Sequence, residues 1–157
     1  MEMVSVPETS LVAIGRLVLA VLLGAAVGVN RELRGKPAGL RTHALVALGA
    51  AMLTIIGLAL TAPQDAERFG ATSRVLQGLI AGIGFIGGGV ILRREQSNEV
   101  LGLSTAASIW IVAAIGVGAG GGLWITSSAT ALLALAILAL GDPVDRLLRA
   151  RRKDERG

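Results

Sequence analysis

The sequence contains no cysteine and no tyrosine, and it has a single histidine, which excludes several kinds of site. Without cysteine the chain can form neither a disulfide framework nor a thiolate metal site, and one histidine cannot make a histidine-rich metal cluster. Aromatic residues make up only 3% of the chain, so surfaces on which bases stack are missing despite a net charge of +4. We therefore expect no metal, no cofactor and no nucleic-acid partner.

Charged residues are also scarce, and they are absent from three long stretches. Hydrophobic residues account for 53% of the chain and charged residues for 17%. No charged residue occurs from Ala44 to Ala62, from Val75 to Leu92 or from Val100 to Gly141. Because a helix needs about 20 apolar residues to cross a bilayer, the last stretch is long enough for two crossings, with a turn in "GVGAGGGLW". The segment from Leu11 to Asn30, interrupted only by Arg16, adds a further crossing.

The predicted fold is an all-α polytopic membrane protein with about five transmembrane helices. A soluble all-α core would show a polar stripe along each helix, whereas these segments carry only scattered serine, threonine and glutamine. We expect residues 1–10 to form an extracytoplasmic N-terminus, 11–141 the transmembrane domain and 142–157 a basic cytoplasmic tail. The predicted spans are 11–30, 42–62, 74–92, 100–118 and 122–141.

Lysine and arginine distinguish the two sides of this five-span chain. Of the 15 basic residues, twelve fall in the loops and the tail on one side, and three, Arg16 among them, do not. Basic loops stay in the cytoplasm, so we expect a membrane protein with its N-terminus outside and its C-terminus in the cytoplasm. The first ten residues, "MEMVSVPETS", lack the basic region that begins a signal peptide, so we expect the first helix to be retained.

The stretch "AGIGFIGGGVILRRE" contains the spacing G-x-G-x-x-G at Gly82, Gly84 and Gly87. A dinucleotide-binding turn with this spacing follows a strand and is followed, about 20 residues on, by an acidic residue for the ribose. Both features are missing here. Glycines four residues apart in a membrane helix instead form a flat strip against which another helix packs, and a local break at Gly87–Gly89 beside a site is the alternative. The predicted helix-packing residues are Gly78, Gly82, Gly84, Gly87 and Gly88.

The densest group of polar residues lies where the first predicted helix ends and the second begins. The connecting loop is short, which makes the two helices antiparallel neighbours, so these residues should meet at the cytoplasmic edge of the membrane. Arg41 occupies a positive helix N-terminus, and we expect Glu32 to pair with it while Arg31 engages lipid phosphate or a partner protein. The predicted functional residues are Asn30, Arg31, Glu32, Arg41, Thr42 and His43.

Other polar residues at membrane depth have less specific interpretations. One histidine without a second ionisable residue in the bilayer favours a hydrogen-bonded interfacial His43 over a proton relay. The hydroxyls of Ser104, Thr105 and Ser108 are expected to cap the fourth helix or to bond its own backbone, with a site role as the alternative. Arg16 is expected to extend outward to the membrane surface.

Three runs of sequence carry a family likeness: "GVNRELRGKPAGLRTHALVALGAAM", "QGLIAGIGFIGGGVILR" and "GLSTAASIWIVAAIGVGAG". In this order and spacing they resemble the membrane domain of the MgtC/SapB family of bacterial inner-membrane proteins, over about residues 11–141. The matching positions are Gly28, Arg31, Ala38, Gly39, Arg41, Thr42, Gly82, Gly84, Phe85, Gly87, Gly89, Leu103, Thr105, Ala106, Ala107 and Trp110.

The resemblance implies a small polytopic protein associated with growth in low magnesium, with stress adaptation and, in some pathogens, with survival inside macrophages. It also implies action on other membrane machinery, so the expected partners are membrane lipids and a membrane protein such as ATP synthase or a transporter. Self-association stays open. The chain departs from the family at Asn30, where an acidic residue is common, and its short tail does not support transfer of functions of a C-terminal soluble domain.

Two functions compete, and an enzyme is not expected. The first is a non-catalytic regulator of other membrane proteins, and the second is a Mg²⁺ channel or transporter. A Mg²⁺ path would use carboxylates or converging carbonyls, and no Asp or Glu lies within a predicted span. The chain also lacks a Ser-His-Asp set and paired carboxylates in the bilayer, which argues against catalysis.

Overall fold

The computed structural model describes residues 10–59, 66–93 and 100–154. Each of the five helices in these residues contains a segment long and apolar enough to cross a membrane, which confirms the all-α, five-span prediction. The last helix continues beyond residue 141, where we had expected the tail to begin. The helices are α1 (Ser10–Leu33), α2 (Leu40–Ala59), α3 (Ala66–Val90), α4 (Leu103–Gly120) and α5 (Trp124–Asp154), and between α3 and α4 a two-residue antiparallel ribbon pairs β1 (Leu92–Arg93) with β2 (Val100–Leu101).

The turn between α1 and α2 is built around Gly35. Its φ of 63° is the left-handed conformation that favours glycine. Two backbone hydrogen bonds close the helix end, because Lys36 N–H donates to Arg31 O (3.1 Å) and Gly35 N–H donates to Glu32 O (2.9 Å). This tight closure reverses the chain and places the end of α1 beside the start of α2.

The turn between α4 and α5 repeats the same arrangement, at the position that "GVGAGGGLW" predicted. Gly122 has a φ of 81°, Leu123 N–H donates to Gly118 O (2.8 Å) and Gly122 N–H donates to Ala119 O (3.1 Å). The side chain of Arg16 adds a third bond at this end, since its Nη1 donates to Gly120 O at 2.9 Å. Arg16 therefore ties α1 to the last turn of α4.

The helix α2 lies at the centre of the bundle, in contact with α1, α4 and α3, while α5 packs on α1 and α4. Small apolar side chains dominate the core between α1, α2 and α4, which allows the helix axes to approach closely. Many large apolar side chains on the outside are exposed, as expected for helices that face lipid. The main core cluster consists of Ala20, Val27, Ala47, Ala51, Val112, Ile115, Ala119 and Ala131.

Glycines make the closest helix contacts in this core, on α1 and α4. A Cβ atom on Gly28 would lie 2.6 Å from Leu40 Cα, and one on Gly24 would lie 2.7 Å from His43 O. On α4, a Cβ atom on Gly116 would meet Ala47 O, and one on Gly120 would lie 2.8 Å from Ala51 Cα. Each pair is spaced by four residues, so each forms one flat strip that faces α2.

The glycines predicted to pack on α3 are placed differently. Of the five, Gly87 alone meets a neighbour, since its added Cβ would lie 3.7 Å from Ala106 Cβ. The others have no heavy atom within 4 Å of an added Cβ in the described part of the chain: Gly78, Gly82, Gly84 and Gly88. The alternative of a broken helix is wrong, because α3 runs without interruption to Val90. Packing of these glycines against a second molecule stays a prediction.

Candidate functional site

The guanidinium of Arg31 lies inside the helix bundle. The buried positions of α1 recur every three or four residues, at Ala20, Gly24, Val27, Gly28 and Arg31, so the helical repeat itself turns Arg31 inward. Arg31 is 2% exposed, and its Nη2 donates to Thr105 Oγ1 at 2.7 Å and, at a longer 3.4 Å, to Ser104 Oγ. The expectation that Arg31 reaches lipid phosphate is therefore wrong, because its side chain crosses to α4.

The imidazole of His43 is buried next to the same helix. His43 heads the buried stripe of α2, one turn before Ala47, and it is 0% exposed. Its Nδ1 lies 2.9 Å from Gly39 O, and its Nε2 lies 3.0 Å from Ser108 Oγ. Both ring nitrogens are thus in hydrogen-bonding contact, as the sequence interpretation expected, although the ring lies within the bundle.

Two hydroxyl residues of α4, Thr105 and Ser108, link Arg31 to His43. Thr105 contacts Arg31, Ser108 contacts His43, and Ser108 Oγ lies 2.8 Å from Thr105 O. The bond from Ser108 to its own helix was expected, but the bridging role was not. Hydroxyls at i, i+1 and i+4 at the start of an otherwise apolar helix were the available indication. We call Arg31, His43, Thr105 and Ser108 the buried polar cluster, and the exposed Ser104 lies at its edge.

Glu32 has a different partner from the one predicted. Its Oε2 accepts a hydrogen bond from Leu40 N–H at 2.9 Å, the first backbone donor of α2. Arg41 is exposed, and no ion pair joins it to Glu32 among the described residues. As expected from the helix dipole, a carboxylate lies at the positive N-terminal end of α2. It acts on the helix end directly, as an N-terminal cap, instead of through Arg41.

The remaining predicted residues lie beside the buried polar cluster and not in it. Asn30 is half-buried, and its Oδ1 is buried without a hydrogen-bond partner in the described parts of the chain. Thr42 is also half-buried, between the exposed Arg41 and the buried His43. The structure therefore brings together Arg31 and His43, places Glu32 at the neighbouring helix end, and leaves Arg41 on the surface.

The chemistry available in the cluster is that of a guanidinium, an imidazole and hydroxyls. A buried arginine loses its hydration, and hydrogen bonds to hydroxyl oxygens offset part of that cost. A permanent positive charge at this position repels cations and attracts anions. Within residues 10–59, 66–93 and 100–154 there is no group of three or more His, Asp or Glu side chains that could hold a metal ion.

Comparison with known proteins gives relatives that share most of this chain. Protein SrpB of Synechococcus elongatus is 44% identical over 115 residues, which cover 69% of this chain and 63% of SrpB. YhiD of Escherichia coli K12 is 41% identical over 128 residues, covering 78% of this chain and 58% of YhiD. Protein MgtC of Salmonella typhimurium is 40% identical over 132 residues, covering 83% of this chain and 53% of MgtC. No solved structure matches.

These relatives are longer than the region they share with this chain, which spans between 53% and 63% of the length of SrpB, YhiD and MgtC. A model of the MgtC family matches residues 17–147, from the first helix into the fifth. The resemblance based on the three sequence runs is therefore confirmed. The chain is a multi-pass membrane protein that belongs to the MgtC family.

Proposed function

We propose that this chain is a non-catalytic regulator of other membrane proteins in the bacterial inner membrane. In this proposal it serves adaptation to magnesium limitation and related stress, and it acts by contact with a membrane protein such as ATP synthase or a transporter. The MgtC family is not a known enzyme family. Ser108 and His43 form a hydroxyl–imidazole contact, but His43 Nδ1 lies against the backbone Gly39 O and not against a carboxylate, and both side chains are buried, so the pair is not arranged as a Ser-His-Asp set.

One observation carries the preference for regulation over ion transport: the charge buried in the bundle is cationic. Arg31 lies between α1 and α4 inside the bundle, and a path along this interior would bring Mg²⁺ against its positive charge. Mg²⁺ also needs oxygen ligands to replace its water. Glu32 is the one carboxylate in the described candidate spans, and it is exposed and engaged with Leu40 N–H.

Transport of Mg²⁺ is the second candidate, and a relative favours it. The name of YhiD, at 41% identity, proposes magnesium transport. A transport path in this chain would then have to avoid Arg31, along another face of the bundle or between copies of the chain. The two candidates differ in whether purified protein alone moves the ion.

The orientation belongs to the same proposal. With the C-terminus in the cytoplasm, the buried polar cluster lies at the cytoplasmic end of the bundle, where α1 ends and α2 and α4 begin. Reporter fusions after residues 36 and 157 should be active in the cytoplasm, and a fusion after residue 120 should be active outside. A cytoplasmic signal from residue 120 would reverse the orientation.

The decisive experiment combines growth with flux. The chain is expressed in a host that lacks its own family member and grows poorly in low magnesium, and the purified protein is reconstituted in liposomes loaded with a Mg²⁺-sensitive dye. We expect restored growth together with Mg²⁺ entry no faster than in empty liposomes. Mg²⁺ entry that rises in proportion to the amount of protein would reject regulation and support transport. Failure of the chain to restore growth in low magnesium would reject the link to magnesium limitation.

A further inference from the structure

Three hydrogen-bond contacts join His43 and Ser108 to each other and to two backbone carbonyls, but only two hydrogens are available to form them. Gly39 O and Thr105 O can only accept, and they lie 2.9 Å from His43 Nδ1 and 2.8 Å from Ser108 Oγ. A third contact joins His43 Nε2 to Ser108 Oγ at 3.0 Å. A neutral imidazole supplies one hydrogen and the Ser108 hydroxyl supplies another, so only two of the three contacts can be hydrogen bonds at once.

The neutral network can be assigned from these constraints. Because Gly39 O only accepts, the ring proton lies on Nδ1, and Nε2 is then an acceptor. The Ser108 hydroxyl is left with two acceptors, Nε2 and Thr105 O, and it can donate to one of them. Donation to Nε2 leaves the His43 ring fully satisfied in a site with no access to water, since the ring is 0% exposed.

One added proton completes the network. A proton on Nε2 makes this nitrogen a donor to Ser108 Oγ, and the Ser108 hydroxyl hydrogen then turns to Thr105 O. We propose that His43 is a proton-binding site and that proton binding is transmitted through Ser108 to Thr105, the residue that holds Arg31. The proton comes from water when the start of α2 separates briefly from α1 and α4, because the closed site is dry.

The surrounding charges determine the consequence of proton binding. The helices with extensive contact to α2 are α1, α3 and α4. From α1 come Arg31 and, at the helix end, Glu32; α4 has no ionisable residue, and α3 has none from Val75 to Val90. On α2 itself Arg41 is exposed. A proton on His43 therefore adds a second positive charge near Arg31, with Glu32 as the nearest carboxylate in sequence.

Two like charges in a poorly polarisable interior repel each other strongly. We therefore expect proton binding at His43 to weaken the bond from Arg31 to Thr105 and, with it, the tie between α1 and α4. This is a local switch and not a transmembrane relay, because no second titratable side chain continues the path along α4. The inference goes beyond the proposed function and does not depend on it, since it concerns the chain without a partner.

The single histidine of the sequence makes a direct test possible. The full chain is purified through a histidine-free tag, labelled with ¹⁵N in the histidine ring, and placed in lipid nanodiscs. At about pH 8, the upper end of the range in which histidine ordinarily titrates, we expect a neutral ring with its proton on Nδ1, and on acidification we expect a second proton on Nε2. A neutral ring protonated on Nε2, or a ring that stays neutral until the chain unfolds in acid, would overturn the proposal.

The link to Thr105 is tested in the same samples with ¹³C in the threonine carbonyls. Proton binding should shift the Thr105 carbonyl signal, which is identified by its loss from the threonine spectrum in Thr105→Ser. This shift should disappear in Ser108→Ala and persist in the matched control Ser104→Ala, whose hydroxyl contacts Arg31 alone. An unmoved Thr105 signal in the unmodified chain would overturn the link whether or not Ser108→Ala folds, and an equal shift in Ser108→Ala would do the same.

Discussion

The glycines of this bundle fall into two groups with the same spacing and different neighbours. On α1 and α4, the pairs at 24 and 28 and at 116 and 120 lie against the backbone of α2. On α3, the pairs at 78 and 82 and at 84 and 88 have no heavy atom of the described residues within 4 Å of an added Cβ. The spacing makes a flat strip in both cases, but a strip becomes a contact only where the facing helix brings small side chains or its backbone close. On α2 the facing groups are Ala47, Ala50 and Ala51 together with the backbone of Leu40 and His43.

The cavities around α3 show the same difference. A groove of about 180 Å³ separates α3 from α4, and one of about 450 Å³ borders α3 and α2. Large side chains such as Ile83 and Trp110 line the first groove and keep the helices apart. The tight trio of α1, α2 and α4 holds the buried polar cluster, whereas α3 lies at its edge with its glycine faces open.

The largest expected effect comes from filling a close glycine contact. Gly28→Leu should prevent accumulation of folded protein, because a Cβ atom there already meets Leu40 Cα at 2.6 Å. Gly28→Ala should still cost about 1–3 kcal/mol, the usual cost of overpacking a core. The matched control is Gly82→Leu on α3, which should accumulate normally. The measurement is the amount of monodisperse protein extracted from membranes. If Gly28→Leu and Gly82→Leu lowered this amount equally, the glycines of α1 and α3 would not differ in how closely they are packed.

The same pair of variants separates folding from partner contact. If α3 packed through its glycines, as the sequence predicts, Gly82→Leu would abolish folding or function. The glycine strip of α3 has no neighbour among the described residues of the chain. A Gly82→Leu protein that folds but fails to support growth in low magnesium would therefore indicate that a partner contacts this helix. A Gly82→Leu protein that both folds and supports growth would show that the strip is needed for neither folding nor partner contact.

The five spans could be predicted from the sequence because hydrophobic length is a local property. The missing charges from Val100 to Gly141 and the glycines of the following turn were enough to place α4, α5 and their connection. The contacts between helices could not be predicted in this way. Both glycine groups have the spacing of a packing strip, and only the fold shows that Gly24 and Gly28 meet α2 and that Gly78 does not.

The candidate site was predicted in part, for a similar reason. The end of α1 and the start of α2 are neighbours in sequence, so Arg31, Glu32 and His43 could be grouped at once. The hydroxyls of α4 lie more than 60 residues from His43, as the separation of 65 between His43 and Ser108 shows. Arg41 precedes His43 by two residues in the sequence, and the helical repeat turns Arg41 outward and His43 inward.

The next largest effect distinguishes two arginines at the same membrane edge. Arg31→Lys should lower the free energy of unfolding by about 1.5–3 kcal/mol, the usual value for hydrogen bonds to a charged group, because an ammonium cannot reproduce the planar fork of the guanidinium. It should also fail to support growth in low magnesium. Arg41→Lys keeps an exposed cation and should behave as the unmodified chain in both assays.

Equal behaviour of these two variants would contradict the division between a buried and a surface arginine. If Arg31→Lys were as stable and as active as the unmodified chain, Arg31 would serve only as a topology anchor, for which lysine is sufficient. If Arg41→Lys also lost function at normal abundance, the surface of the α1–α2 turn would have to contact a partner directly.

A smaller effect is expected at the cap of α2. Glu32→Ala removes the acceptor for Leu40 N–H and should lower the free energy of unfolding by about 1 kcal/mol. Glu32→Gln keeps an acceptor oxygen and loses the charge at the helix end, which should cost about 0.3–1 kcal/mol. Thermal unfolding in detergent ranks the two variants. A loss with Gln as large as that with Ala would indicate that Glu32 acts by charge and not as a cap.

A double-mutant cycle measures whether Thr105 holds Arg31 inside the trio of α1, α2 and α4. The free energy of unfolding is measured in lipid bicelles for Arg31→Lys, Thr105→Val and the double variant. The account predicts a coupling of about 0.5–3 kcal/mol, the range for residues in contact. The control cycle pairs Arg31→Lys with Thr130→Val on α5, where the Thr130 hydroxyl donates to its own helix at Thr126 O, and it should be additive within about 0.5 kcal/mol. Additive losses in the Arg31–Thr105 cycle would contradict the account.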